Sequence, residues 1–344
     1  MIPYLSNGFL SMGELLSHAP PYSFIWGGRG IGKTYGALEY IRMDKPQKFV
    51  ILRRTQKQVD ILRKPLFNPF KALDSNRGCI TTVVKDGDGA VFYDGEEKEG
   101  KILPVGTPLG YMFALSAIHN VRGFDLSDVE ILLFDEFIPE AHERPITDEF
   151  TAFLNAVETI ARNRELQGKK PLQVVCLSNS NTITNPYFMG LGVMRKVYDM
   201  SIHRQEEWRD DDRGLLLVNV THSPISDAKR QTSLYKLAGD STFADGALDN
   251  TFTEESIAEH RPIPLRECRP IVKAGEICIY EHRYSNLFYV TDHASGSPET
   301  YASDPASIKQ FRRAWSKMIG FYYQGLVVFD SALSESIFRL YLKV

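Results

Sequence analysis

This chain is poor in cysteine, in long apolar runs and in charge of one sign, and each shortage removes a class of protein. Its four cysteines, at positions 79, 176, 268 and 278, form no C-x-x-C pair. That argues against a zinc site or a disulfide framework and suits buried thiols in a reducing compartment. No apolar run approaches the length of a membrane span. The first eight residues, Met-Ile-Pro-Tyr-Leu-Ser-Asn-Gly, lack a basic start and an apolar core, so no secretory signal is expected. With 40 Lys+Arg against 43 Asp+Glu the net charge is −3, which excludes a protein that holds nucleic acid by bulk electrostatics. The balance is uneven: from Arg261 onward there are 11 Lys+Arg against 8 Asp+Glu. That mild excess is either a nucleic-acid surface or an ordinary solvated face. No internal repeat is present.

What is there is a globular composition, 43% hydrophobic and 24% charged over 344 residues, long enough for two domains. Its most informative stretch is Gly27, Gly28, Arg29, Gly30, Ile31, Gly32, Lys33 and Thr34, which completes the phosphate-binding pattern G-x-x-x-x-G-K-[ST]. The glycines let the backbone curl so that successive N–H groups face the β- and γ-phosphates, Lys33 brings a positive charge to them, and the Thr34 hydroxyl can ligate magnesium. The apolar run at 22–26 reads as the strand before the loop and 34–43 as the helix after it. A nucleoside triphosphate with Mg²⁺ is the expected ligand.

Downstream, 48–54 reads as a buried strand ending in Arg53 and Arg54, followed by a polar helix over about 55–62. Residues 79–84 and 90–93, separated by Asp86-Gly87-Asp88-Gly89, read as a hairpin, and 110–115 as a strand before the loop with His119 and Arg122. The run 129–136 is almost wholly apolar and ends in Asp135 and Glu136, as expected of a central parallel strand buried on both faces. Asp135 suits the metal's coordination shell and Glu136 the polarisation of an attacking water. A further strand over 172–177 runs into Asn179, a residue equally suited to a turn or to sensing the γ-phosphate.

Between these strands a helix over about 147–164 carries Phe150, Phe153, Leu154, Val157, Ile160 and Ala161 on one stripe, which is core packing. Arg162 falls well off the stripe, and Arg164 would lie along it if the helix continued so far. Two roles fit Arg162: complementing the helix dipole, or reaching the γ-phosphate of a neighbouring subunit, where a guanidinium stabilises transition-state charge.

Read together, Gly-Arg-Gly-Ile-Gly-Lys-Thr at 28–34, Leu-Arg-Arg at 52–54, Phe-Asp-Glu-Phe-Ile at 134–138, Arg-Asn-Arg-Glu at 162–165, Cys-Leu-Ser-Asn at 176–179 and Asn-Pro-Tyr-Phe at 185–188 resemble the DNA-encapsidation ATPases of small tailed bacteriophages with protein-primed genomes. The likeness covers roughly the first 190 residues, and Leu-Asp-Asn-Thr-Phe at 248–252 continues it more loosely. The resemblance implies an ATP-driven motor that pumps double-stranded DNA into a procapsid. It implies a homomeric ring, a pentamer, at the portal in the host cytoplasm, in some cases with a packaging RNA. It also implies that Arg162 is the trans-acting arginine. Arg122 falls where the family carries a lysine acting on the neighbour's nucleotide; the charge is kept and the residue type is not.

The fold implied is α/β: a P-loop ATPase domain of the ASCE class with a central, mostly parallel sheet at 1–208, a linker at 209–250, and a small α+β domain at 251–344 resembling a degenerate RNase H-type nuclease. Strands at about 270–274, 276–283 and 287–291, a helix at about 304–322, a short strand at 326–329 and a final helix from 332 fit that last domain. A two-metal nuclease needs several converging carboxylates. Asp292 and Asp330 are the main candidates, with no acid in the middle of the first strand, so no nuclease activity is expected. The aromatic and basic residues over 309–315 and 321–323 fit an amphipathic helix with its aromatics in the core better than a DNA contact. Two rival functions stay open: a terminase large subunit with an active nuclease, and a nucleotide-gated assembly protein that does not translocate. A small-molecule kinase is disfavoured by the acid after Asp135, which suits activation of water.

Overall fold

The apolar runs identified in the sequence are the middle strands of one sheet. In a computed structural model, which describes all residues except 1, 45, 122–124, 141–142, 144–145, 181, 240, 242–247, 249–257, 259 and 297, that sheet has nine strands. They are β1 (Tyr22–Gly27), β2 (Phe49–Arg53), β3 (Thr81–Asp86), β4 (Gly89–Lys98), β5 (Lys101–Ala114), β6 (Ile131–Asp135), β7 (Gln173–Ser178), β8 (Glu207–Asp210) and β9 (Leu215–Val220). Their order is β3-β4-β5-β2-β6-β7-β1-β9-β8. From β5 to β9 every pairing is parallel, and the sheet ends in antiparallel pairs at both edges. β6 and β9 are buried along their whole length, as helices on both faces of a parallel sheet require.

Neighbouring residues of β1 point to opposite faces and build two apolar layers. Ile25 joins Ile31, Ala37, Leu38 and Ile41 beside the phosphate loop. Phe24 instead packs edge-on against Phe137 and Phe153, and Phe153 stacks on Phe134 of β6. The helix Glu149–Ala161 is thereby seated through Phe153, Ala156, Val157 and Ile160. Leu154, expected on that stripe, is 47% exposed. The helix is also shorter than expected at both ends, because Asp148 before it, at φ 52°, and Arg162 and Asn163 after it, at 41° and 56°, leave the helical conformation.

Other boundaries differ for local reasons. The helix after the phosphate loop runs Lys33–Glu39 and then widens into a π turn at Tyr40–Asp44. Helix Gln56–Leu62 starts on a reciprocal cap between Thr55 and Gln58, as the sequence allows. The polar stretch between 94 and 109, unassigned from sequence, continues β4 and β5 as a long antiparallel ribbon, paired out to Lys98 and Lys101. Its backbone groups satisfy one another whatever the side chains.

The stretch 209–250, expected as a linker, belongs to the first unit as far as it is described. Its Asp210–Gly214 segment is the turn between β8 and β9, with Gly214 at φ 59°. Beyond β9, helices Pro224–Arg230 and Ser233–Ala238 follow, and Ser223 Oγ donates to the Gly8 carbonyl at 2.9 Å. Six buried residues in a row make β9 a sheet strand. The segment Thr182–Ile202, expected within the first domain, instead groups with the second unit.

That second unit has a five-stranded sheet: β10 (Cys268–Ala274), β11 (Ile277–His282), β12 (Phe288–Thr291), β13 (Glu299–Tyr301) and β14 (Val327–Phe329), in the order β13-β10-β11-β12-β14. β10, β11 and β12 form an antiparallel meander, and β13 and β14 join its edges in parallel. The expected helix at 304–322 breaks into Pro305–Ala314 and Lys317–Tyr323, and Ala332–Leu342 closes the unit. Phe311 and Tyr322 are buried, and Arg312 donates to the Tyr341 and Leu340 carbonyls at 3.0 and 3.4 Å. Phe311 and Tyr322 are therefore core, Tyr323 is 68% exposed, and Arg312 caps a helix end.

Gly110 of β5 lies against Phe49 of β2, and a Cβ there would meet the ring at 2.4 Å. Phe49 is itself wedged between Phe70 and Phe92, with centroids 5.5 and 5.7 Å away, so it cannot give way. Gly110→Ala is expected to destabilise the chain by about 1–3 kcal/mol, read as a lowered midpoint in chemical denaturation.

Candidate nucleotide-binding site

The phosphate loop leaves the carboxyl end of β1 and turns back through Gly30 and Gly32, at φ of 66° and 97°, values that side chains with a Cβ rarely adopt. Lys33 is buried, and its Nζ donates to the Gly27 carbonyl at 2.9 Å, the Gly28 carbonyl at 2.7 Å and Asn179 Oδ1 at 3.3 Å. Burial pulls its pKa down to about 7; Asp135 opposes that shift, and Lys229 and Arg29 add to it. A buried cation tied to its own loop's carbonyls, beside two others, is an anion site holding its charge in reserve. A cavity of about 540 Å³ opens on the loop, lined by Lys33, Thr34 and Asn179 and by Phe9, Tyr35 and Asn76. It has the size of a small-ligand pocket and room beyond the phosphates for a nucleoside.

At the end of β6, Asp135 Oδ1 accepts a hydrogen bond from Thr34 Oγ1 at 3.0 Å. An all-oxygen pair of this kind fits a hard cation such as magnesium. Arg53 lies across both acids, with Nη1 2.5 Å from Asp135 Oδ2 and Nη2 2.6 Å from Glu136 Oε2. The register of β2 on β6 pairs Leu52 with Phe134, so the next residue of each strand must meet. Glu136 sits at φ 60°, a strained conformation for a residue with a side chain. Burial raises its pKa, and the Arg53 guanidinium opposes that shift. Gln58 Nε2 also reaches Glu136, at 3.4 Å.

Asn179 follows β7, the strand lying between β1 and β6, so strand order alone brings it between the phosphate loop and the acids. Sequence reasoning missed Arg53 as a partner of the acids, as well as Gln58 and Lys229. The signs of Arg53 were its place at the end of an apolar strand and in the Leu-Arg-Arg stretch at 52–54. Lys229 comes from the stretch expected to be a linker, and its Nζ donates to the Arg29 carbonyl. The Arg29 side chain pairs with Glu140 at 2.6 Å.

The two arginines after helix Glu149–Ala161 have opposite fates. Arg164 is buried and donates from Nη1 to the Val129 carbonyl. Arg162 is half-exposed and, among the described residues, makes no ion pair; it acts only through its charge, on Asp125. Arg122 lies outside the described residues. In the second unit, Asp292 and Asp330 do converge, with His293, so that one ligand atom of each lies within 4.8 Å of the others. Arg195 pairs with Asp292, and Thr291 Oγ1 donates to Asp330 Oδ2 at 2.5 Å.

This contrast is testable. Arg164→Ala leaves the Val129 carbonyl unpaired in the interior and is expected to cost about 1–3 kcal/mol. Arg162→Ala is expected to stay within about 0.5 kcal/mol of the parent. Denaturation midpoints of the two variants, measured side by side, check it.

The family model described as "Podovirus DNA encapsidation protein (Gp16)" matches residues 7–294. The DNA packaging protein of Bacillus phage phi29 is 27% identical over 253 residues, 72% of this chain and 67% of that protein. That of Bacillus phage B103 is 24% identical over 344 residues, 94% of this chain and 97% of the relative. Among solved structures, the Phi-28 gp11 DNA packaging motor is similar with a TM-score of 0.60 at 20% identity, covering 98% of both chains. The bacteriophage Phi-29 viral genome packaging motor assembly also gives 0.60, at 19% identity, over 97% of this chain and 98% of that one; both show a shared fold. With a family model spanning most of its length, the chain belongs to the podovirus DNA encapsidation protein family.

Proposed function

We propose that this chain is the ATPase subunit of a motor that drives double-stranded viral DNA into a procapsid, working as a homomeric ring at the portal. The observation that carries the reading is the convergence of Lys33, Thr34, Asp135, Glu136 and Asn179 at the carboxyl ends of three neighbouring parallel strands. Ligands of open α/β sheets bind at that edge. Thr34 and Asp135 would hold magnesium, which when bound neutralises phosphate charge. Lys33 exchanges its loop carbonyls for phosphate oxygens. Glu136, released from Arg53, accepts a proton from the attacking water, and Asn179 orients that water or the γ-phosphate. Arg162, which makes no ion pair among the described residues, would reach the nucleotide of the next subunit; Arg122 is a second candidate for that role.

The grip on DNA is expected to fall on the backbone, which gives little sequence preference and strong salt dependence. The portal and procapsid are the expected partners, with a packaging RNA as a further one, in the host cytoplasm. The second unit is read as a nuclease-like fold without nuclease chemistry, because Arg195 neutralises one of its two converging acids. Divalent-metal-dependent cleavage of DNA by the full chain would overturn that part and favour a complete terminase.

Steady-state ATPase with double-stranded DNA and procapsids tests the whole. Glu136→Gln is expected to lose about 10²–10⁴-fold in kcat while still binding nucleotide. Arg162→Ala is expected to lose about 10³-fold or more, and a mixture of the two to regain hydrolysis. Full activity of Arg162→Ala alone would remove the shared-site model.

A further inference from the structure

We propose that the buried ion pair between Arg54 and Glu149 positions Arg162, and so ties the catalytic acids of one subunit to the arginine it offers to the next. The proposal rests on the reading of Arg162 as a trans-acting group.

Arg54 is 0% and Glu149 3% exposed. Arg54 Nε and Nη2 donate to the two oxygens of Glu149 at 2.6 and 2.9 Å, and Nη1 to Glu143 Oε2 at 2.6 Å. Burying such charges costs desolvation that their attraction roughly offsets, so the pair contributes geometry more than stability. A planar guanidinium forked onto a carboxylate fixes both distance and orientation.

What it fixes is the start of one helix. Glu149 is the first residue of Glu149–Ala161, and Asp148 before it sits at φ 52° without a side-chain bond to the helix backbone. The usual cap being absent, Arg54 takes over the placing of this end. Thirteen residues on, the helix stops at Arg162, about 20 Å away. The middle is packed through Phe153 on Phe134 and Phe24, and the far end is held by Arg164 on the Val129 carbonyl. With its far end pinned by Arg164, a displacement of the first turn tilts the rod about that pin and re-aims Arg162 beside it.

The other half of the link is Arg53, adjacent in sequence, which lies on Asp135 and Glu136. Successive side chains at a strand end point to opposite sides, so this dipeptide joins the acids on one side to the helix start on the other. When the acids exchange Arg53 for nucleotide and water, the end of β2 is free to shift, and Arg54 carries that shift into the helix that bears Arg162. Hydrolysis at one interface thus changes what is presented at the next. Arg54 and Glu149 are positioning residues and touch no substrate.

The experiment uses full-length Glu149→Gln and Arg54→Lys, the latter keeping charge but losing the fork. Each is assayed alone and mixed with two testers: Glu136→Gln, which offers Arg162 but cannot hydrolyse, and Arg162→Ala, whose own acids are intact. Each variant alone is expected to lose about a hundredfold in kcat, the order expected for a misplaced group, with KM for ATP within about twofold, as befits a contact outside ground-state binding. Mixing with Glu136→Gln should restore hydrolysis, and mixing with Arg162→Ala should not. Recovery with Arg162→Ala, recovery with neither tester, or undiminished kcat in the variants alone would each overturn the proposal. Far-ultraviolet circular dichroism identifies a variant that has failed to fold, and the other variant then decides. Mixing the two testers with each other is the separate control: no recovery there would refute the trans-acting role of Arg162 itself.

Discussion

The site depends on one constraint: a pocket that takes a highly charged anion must keep its own charges balanced before that anion arrives. Two adjacent carboxylates, Asp135 and Glu136, and a buried lysine, Lys33, would each be costly if left bare. The chain meets this by giving every charge a partner that can be exchanged. Arg53 spans both acids, Lys33 is held by carbonyls of its own loop, and Arg29 is held by Glu140. Each of these contacts involves a group that a phosphate oxygen, a metal ion or water can replace. The site is poised by electrostatic substitution, with no need to build new charge when ligand binds.

Strand order converts this balance into geometry. Because β7 separates β1 from β6, the loop after it delivers Asn179 to Lys33 in the gap between the phosphate loop and the acids. Because β2 lies on the other side of β6 in parallel register, its last residue delivers Arg53. Buried, fully apolar strands such as β6 tolerate no shift of register without driving side chains into the wrong layer. The polar residues at their ends therefore inherit a fixed position from an apolar core that has no chemistry of its own.

This division explains what was legible in the sequence. The curl of the loop and the place of the Asp135–Glu136 pair were readable because each depends on neighbours in sequence, a glycine-permitted turn and the end of an apolar run. Arg53, Gln58 and Lys229 were not, since their roles follow from which strands and helices lie side by side. The stretch 209–250 misled because its Asp-rich segment has the composition of a turn, and a turn it is, though within a hairpin of the sheet. The ribbon at 94–109 was hidden by its charge: antiparallel backbone pairing leaves no apolar alternation when both faces meet water. Helical spacing already set Arg162 off the apolar stripe and Arg164 along it, but not the turn at Arg162 and Asn163 that ends the helix between them.

That turn carries backbone strain. Arg162 and Asn163 both occupy the left-handed region, where a residue with a Cβ costs on the order of 1–2 kcal/mol. Two in succession persist only if the surroundings hold them. The holding group is Arg164, whose side chain is buried on the Val129 carbonyl just ahead of β6. Its anchoring stops the helix at Ala161 and turns Arg162 off the apolar stripe that a longer helix would have continued. The strain is local, its compensation lies two residues away, and the result is a guanidinium with no partner in its own chain among the described residues. The anchor is also set in the chain segment that leads into β6. The placing of Arg162 is thus referred to β6 at one end of its helix and to β2 at the other, the same two strands whose ends meet in the Arg53–Asp135 pair.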